Sequence, residues 1–138
     1  MKNVSVLVVM ENEFDFLVIN KGFRELQLNY KVEHLKNGKE LLEHLSAGTE
    51  NNFIGLIILG AEMQDISCKD MLRHLQSAPS YKHIPVVVHA TSTNDRSLYY
   101  NLGASEFVTR HYEYKELLGF VRKIDELINN SANVSSYN

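Results

Sequence analysis

One cysteine, two prolines and no tryptophan stand in a chain of 138 residues. Cys68 has no second thiol to pair with, so an intrachain disulfide and a CxxC redox or metal site are both excluded. No apolar run approaches the ~20 residues that a membrane span needs. Met1-Lys2-Asn3 passes directly into a strand-like run and lacks the layout of a signal peptide. A cytoplasmic location and no membrane partner are therefore expected. Basic charge is scarce as well. The 14 Lys and Arg against 17 Asp and Glu leave a net charge of -3, without the basic excess that marks a nucleic-acid surface. The hydrophobic fraction of 44% and charged fraction of 22% belong to a globular domain with a single core.

The apolar residues fall in an alternating order of elements. Val4 to Val9 (VSVLVV) is a continuous β-branched run, the pattern of a strand covered on both faces. Asn12 is placed to cap a helix in which Phe14, Val18, Ile19 and Phe23 recur at helical spacing until about Leu26. Tyr30 to Leu35 alternates like a strand, Asn37-Gly38 punctuates, and KELLEHL reads as a short helix. Phe53 to Leu59 is the third strand and Ser67 to Gln76 the third helix. The fourth strand is Pro85 to His89, with proline at its first position. Asn94 to Leu102 is helical, with Leu98 and Leu102 on the core side and Gly103 as the residue that ends it. Glu106 to Thr109 is a fifth strand, and Leu117, Val121, Ile124 and Ile128 stripe a last helix. The domain is expected to span residues 1–129, followed by a polar, frayed tail over residues 130–138. Five strands alternating with five helices predict an α/β, doubly wound parallel sheet, of strand order 2-1-3-4-5.

In such a sheet the functional crevice lies beyond the carboxyl ends of the strands, here at Met10-Glu11, Gly60, Ala90 and Arg110. With VSVLVV, KNGKELLEHL, LIILGAEM, YKHIPVVVHATS and NLGASEFVTR, residues 4 to 128 resemble the receiver domain of two-component response regulators. The resemblance is to small single-domain receivers of the phytochrome-associated type, with their flavodoxin-like fold. It implies a pocket with two acidic residues after the first strand, a phosphoacceptor aspartate, a hydroxyl residue and a lysine followed by proline. These positions match Met10 and Glu11, Gly60, Ala90, Arg110 and His111. By that match the acceptor has become a glycine and only Glu11 keeps its chemistry. The landmarks His83-Ile84-Pro85 and Leu102-Gly103-Ala104 hold this register without a gap, against an alternative in which Thr91 replaces Ala90.

A working receiver pocket sets three carboxylates against one lysine, an excess of negative charge that favours Mg²⁺. Here Glu11 is expected to face Arg110 alone, so neither a metal nor another cofactor is expected. Arg110 reads as an anion clamp, as a structural partner of Glu11 or as a solvated strand-end charge. His89 and His111 have no matching ligand cluster, and Cys68 reads as an inert thiol. Phe107 matches the aromatic that swings in receivers, or is a plain core residue. Tyr99, Tyr100, Phe107 and Tyr112 form an expected interaction face, since tyrosine is enriched at interfaces.

The reading is a pseudo-receiver: a non-enzymatic protein-interaction module of a two-component or phosphorelay pathway. Its expected partners are a histidine kinase, a photoreceptor or another signalling protein, with a weak homodimer through the tyrosine face. Two alternatives stand beside it. One is a small-ligand sensor using the space vacated at Gly60 and Ala90. The other is a receiver phosphorylated at a displaced carboxylate, Asp65 or Glu62.

Overall fold

The computed structural model describes residues 3–47, 52–92, 94–110 and 113–136. Five strands, β1 (Asn3–Val9), β2 (Lys31–Leu35), β3 (Asn52–Gly60), β4 (Val86–Ala90) and β5 (Glu106–Thr109), form one parallel sheet in the order β2-β1-β3-β4-β5. The helices between and after them are α1 (Glu13–Glu25), α2 (Gly38–Ala47), α3 (Cys68–Ser77), α4 (Arg96–Asn101) and α5 (Tyr114–Ser136).

Strand residues alternate between two apolar layers. Leu7, Val9, Ile57, Leu59, Val86 and Val88 face α2, α3 and α4, where Leu41, Met71 and Leu72 meet them. Val6, Val8, Leu56, Ile58 and Val87 face α1 and α5, meeting Phe23, Val121 and Ile124. Both faces being covered is the reason that VSVLVV and LIIL read as unbroken apolar runs. The cap expected at Asn12 is present, and Ser67 supplies a second before α3. The Asn12 side chain accepts a hydrogen bond from the Asp15 amide at 3.1 Å, and Ser67 does the same for Asp70 at 3.1 Å. Gly103, just past α4, has φ +109°, a conformation that side chains with a Cβ rarely adopt.

Two expectations are corrected. In α4 the core side is held by Tyr99, 6% exposed, while Leu98 is 37% exposed. The helix is only six residues long, so its leucine spacing spans barely a turn. The larger aromatic wins the buried side by stacking on Phe107, ring centroids 5.6 Å apart. At the other end, α5 continues to Ser136 through the stretch expected to fray. Once nucleated, a helix gains one backbone hydrogen bond per added residue, even where the side chains are polar.

Helix α1 lies close against α5 because Gly22 carries no side chain. A Cβ there would stand 2.7 Å from Val121 Cγ2 and 3.2 Å from Leu117 Cγ. Val121 is fully buried and stiff, so it has little room to yield. Gly119, also helical, has nothing within 4 Å of its Cβ position. The two glycines should therefore respond to alanine with opposite signs. Gly119→Ala should stabilise the fold by about 0.5–1 kcal/mol, the helix-propensity difference. Gly22→Ala should lower stability by about 1 kcal/mol net, since overpacking at about 1–3 kcal/mol exceeds that same gain. Urea unfolding of the two variants checks both signs.

Candidate functional site

Because the strands are parallel, Met10, Gly60, Ala90 and Arg110 arrive at one edge of the sheet. The Arg110 amide donates to the Ala90 carbonyl at 2.8 Å, and the Ala61 amide to the His89 carbonyl at 2.9 Å. Sheet register pairs Gly60 with His89 and Ala90 with Thr109. Met10 and Ala90 are buried, at 4% and 3% exposure, on opposite faces of the sheet. Gly60 sits tightly beside Met10: a Cβ at residue 60 would be 3.3 Å from Met10 Cβ and 3.2 Å from the Val9 carbonyl oxygen. A crevice of 220 Å³ remains, lined by Met10 and Gly60 and by Glu11, Asn12, Asp15, Glu62, Met63, His89, Thr91 and Arg110.

Arg110 does not face Glu11 as expected. Its Nε donates to Asp15 Oδ1 at 2.9 Å. Glu11 turns outward, accepting the Gln64 amide at 2.7 Å, while Asp15 lies in the first turn of α1 and points back over the strand ends. Asp15 is the residue that sequence reasoning missed. The signal was present, since Asp15 lies four residues before the buried Ile19, placing a carboxylate on the apolar stripe of α1.

The charge count changes accordingly. Three carboxylates, Glu11, Asp15 and Glu62, line the crevice with Arg110 instead of Glu11 alone. They are held apart on separate partners: Glu11 on the Gln64 amide, Asp15 on Arg110, and Glu62 on the Thr91 amide at 3.3 Å. Among the described residues, no group of three or more His, Cys, Asp or Glu could hold a metal ion. These residues do not fit the Mg²⁺ of a working receiver, because a guanidinium already occupies one of the carboxylates.

The two other acidic candidates are also engaged. Glu62 is within 3.4 Å of the Thr91 hydroxyl as well as its amide. Asp65 caps α2 from a distant loop, accepting from the amides of Gly38 at 3.1 Å, Lys39 at 2.9 Å and Ile66 at 2.8 Å. Desolvation pushes the Asp65 carboxyl up, but the amides together outweigh it and hold the group below its ordinary value.

The expected interaction face is mostly interior. Phe107, 2% exposed, is held between the Tyr99 ring and the guanidinium of Arg96, whose Cζ lies 4.8 Å from the ring centroid. Arg96 also donates to the Phe107 carbonyl at 3.1 Å. Tyr99 and Phe107 are thus packed against each other instead of being available to a partner. Tyr100, 39% exposed, remains at the surface. Its hydroxyl donates to Glu106 at 2.8 Å and accepts the Phe107 amide at 3.1 Å. His111 and Tyr112 lie outside the described residues. Cys68 is buried and desolvation pushes its thiol up to about 12, the behaviour of an unreactive cysteine.

No protein-family model matches the chain. It is 24% identical over 125 residues to the probable methanogenesis regulatory protein FilR2 of Methanothrix harundinacea, covering 88% of this chain and 81% of that protein. With the chemotaxis protein CheV2 of Helicobacter pylori it shares 27% identity over 108 residues, 76% of this chain but 34% of CheV2, so it spans about a third of that relative. Among solved structures, the phosphorylated cyanobacterial phytochrome response regulator RcpA superposes with a TM-score of 0.76 at 24% identity, covering 91% of this chain and 93% of RcpA. The bacteriophytochrome response regulator AtBRR gives 0.75 at 20% identity, with 94% of each chain covered. The structural neighbours are receiver domains of response regulators, phytochrome-associated ones among them, and this chain has their fold.

His89 stands at the crevice with its ring tilted against Phe120, centroids 6.4 Å apart. Desolvation depresses its pKa. Asp15 and Glu62 pull it back up, and Arg110 adds to the depression. A histidine that resists protonation only in the folded state lets the unfolded chain bind more protons as pH falls. Stability should be complete above the ordinary imidazole value of about 6.5 and decline below it toward the lower folded value. Melting temperatures measured from about pH 7.5 to about pH 5.5 should fall, and His89→Phe should flatten that fall.

Proposed function

We propose that this chain is a non-enzymatic receiver-fold module of two-component or phosphorelay signalling that has lost the phosphoacceptor and acts through protein contacts. One observation carries the reading. The carboxyl end of β3, where a receiver presents its aspartate, is Gly60, closed in by Met10 and the Val9 carbonyl. Its neighbours support it: Ala90 offers no hydroxyl, and Arg110 is already neutralised by Asp15. Neither displaced candidate suits the role, because Asp65 is committed to the start of α2 and Glu62 to Thr91. After incubation with acetyl phosphate and Mg²⁺, intact mass should be unchanged. A stoichiometric, hydroxylamine-labile phosphoryl adduct would overturn the proposal.

The partner in this reading is a signalling protein of the same pathway, a histidine kinase or a photoreceptor, met in the cytoplasm. Among the described residues no helix is long and apolar enough to cross a membrane. Tyr100 is the aromatic side chain of the expected face that α4 leaves at the surface. A weak homodimer through this face is part of the proposal. The patch is small beside the more than ~1,000 Å² that stable interfaces bury, so association should be weak. Light scattering at micromolar concentration should show a monomer–dimer equilibrium that Tyr100→Ala shifts to monomer. A strict monomer, or a dimer indifferent to the change, counts against it.

A further inference from the structure

A second cavity, of 370 Å³, opens between α1, α5 and the end of β5. It is larger than the crevice at Gly60 and is separated from it by Asp15, His89 and Arg110, which line both. Its apolar lining comes from Val18 and Ile19 on α1, Val108 on β5, and Leu117 and Phe120 on α5. An apolar cavity of about 150 Å³ takes one benzene ring, so this one has room for a fused two-ring molecule. It also lies within the size range of small-molecule sites.

The polar groups restrict the ligand further. Arg96 and Arg110 are balanced by Asp15 and Glu116, so the lining has no net charge with which to select an ion. The Arg110 and Asp15 charges are moreover spent on each other. His89 differs from these. One of its ring nitrogens donates to its own backbone carbonyl, and its ring forms the wall shared by the two cavities. Held neutral with its N–H so engaged, it offers its other ring nitrogen as an acceptor. Together with the Phe120 ring tilted against it, His89 makes a corner suited to a flat ring bearing one hydroxyl or ring N–H.

We infer that the α1–β5–α5 cavity is a binding site for a small, uncharged, fused-ring aromatic molecule with one hydrogen-bonding group directed at His89. The inference does not depend on loss of phosphorylation, since the cavity lies outside the Gly60 crevice. A ligand there would also touch Arg96, the residue stacked on Phe107, and so connect the cavity to α4.

The test uses 2-naphthol as probe and naphthalene as the comparator without a polar group, with the full chain in calorimetric or fluorescence titrations. One saturable site for 2-naphthol is expected. Val108→Trp, which fills the cavity, should weaken binding at least tenfold. His89→Phe should weaken 2-naphthol by about fivefold, the value of one hydrogen bond, while leaving naphthalene unchanged. Amide chemical-shift changes in the unmodified chain provide a readout that needs no variant, and they should centre on His89, Val108, Leu117 and Phe120. The inference fails if no saturable binding occurs up to the solubility limit, or if a folded Val108→Trp binds as well as the parent. It fails equally if the shifts centre on Gly60 and Met63.

Discussion

All strands of this sheet run in one direction, and both of its faces are covered. From that single constraint most of the molecule follows. Parallel neighbours require a crossover between successive strands, and the crossover helices, with α5 after the last strand, bury the two faces. The carboxyl ends of β1, β3, β4 and β5 are thereby brought to one edge, whatever residues stand there. Met10, Gly60, Ala90 and Arg110 meet for this reason and not because they attract one another.

What happens at that edge is decided by local charge. A buried or half-buried guanidinium needs a carboxylate, and Asp15 supplies one from the first turn of α1. The pairing ties α1 to the end of β5 and leaves Glu11 free to turn toward the Gln64 amide. In a working receiver the lysine at this place waits for a phosphoryl group; in the reading proposed here, Arg110 has its anion permanently. Arg96 on α4 is placed differently, against the ring and carbonyl of Phe107, whose other ring contact is Tyr99.

The sheet, its order and the cap at Asn12 were legible in the sequence because each rests on a local signal: an apolar run, a punctuating residue or a short side-chain acceptor. The four strand-end residues were legible once the order of elements was known. Asp15 was passed over because a charged residue in a first helical turn is common, and only its place on the apolar stripe of α1 set it apart. Tyr99 was not legible because leucine spacing says little in a helix of six residues, and because its partner Phe107 stands on the next strand, in an orientation that only the fold sets. The cavity beside α5 left no trace in the sequence. It is space between three elements, and patterns of residues do not record the gaps between them.

Asp65 joins parts of the chain that sequence separation keeps far apart. Its two carboxylate oxygens are divided among the amides at the start of α2 and the amide of Ile66 in its own loop. The loop leading into α3 and the beginning of α2 therefore share one fastener. When the loop opens, the start of α2 loses its acceptor, so the first turn of that helix depends on a loop far along the chain. The amide protons of Gly38 and Lys39 would then exchange with solvent at a rate set by the loop around Asp65, not by α2 alone.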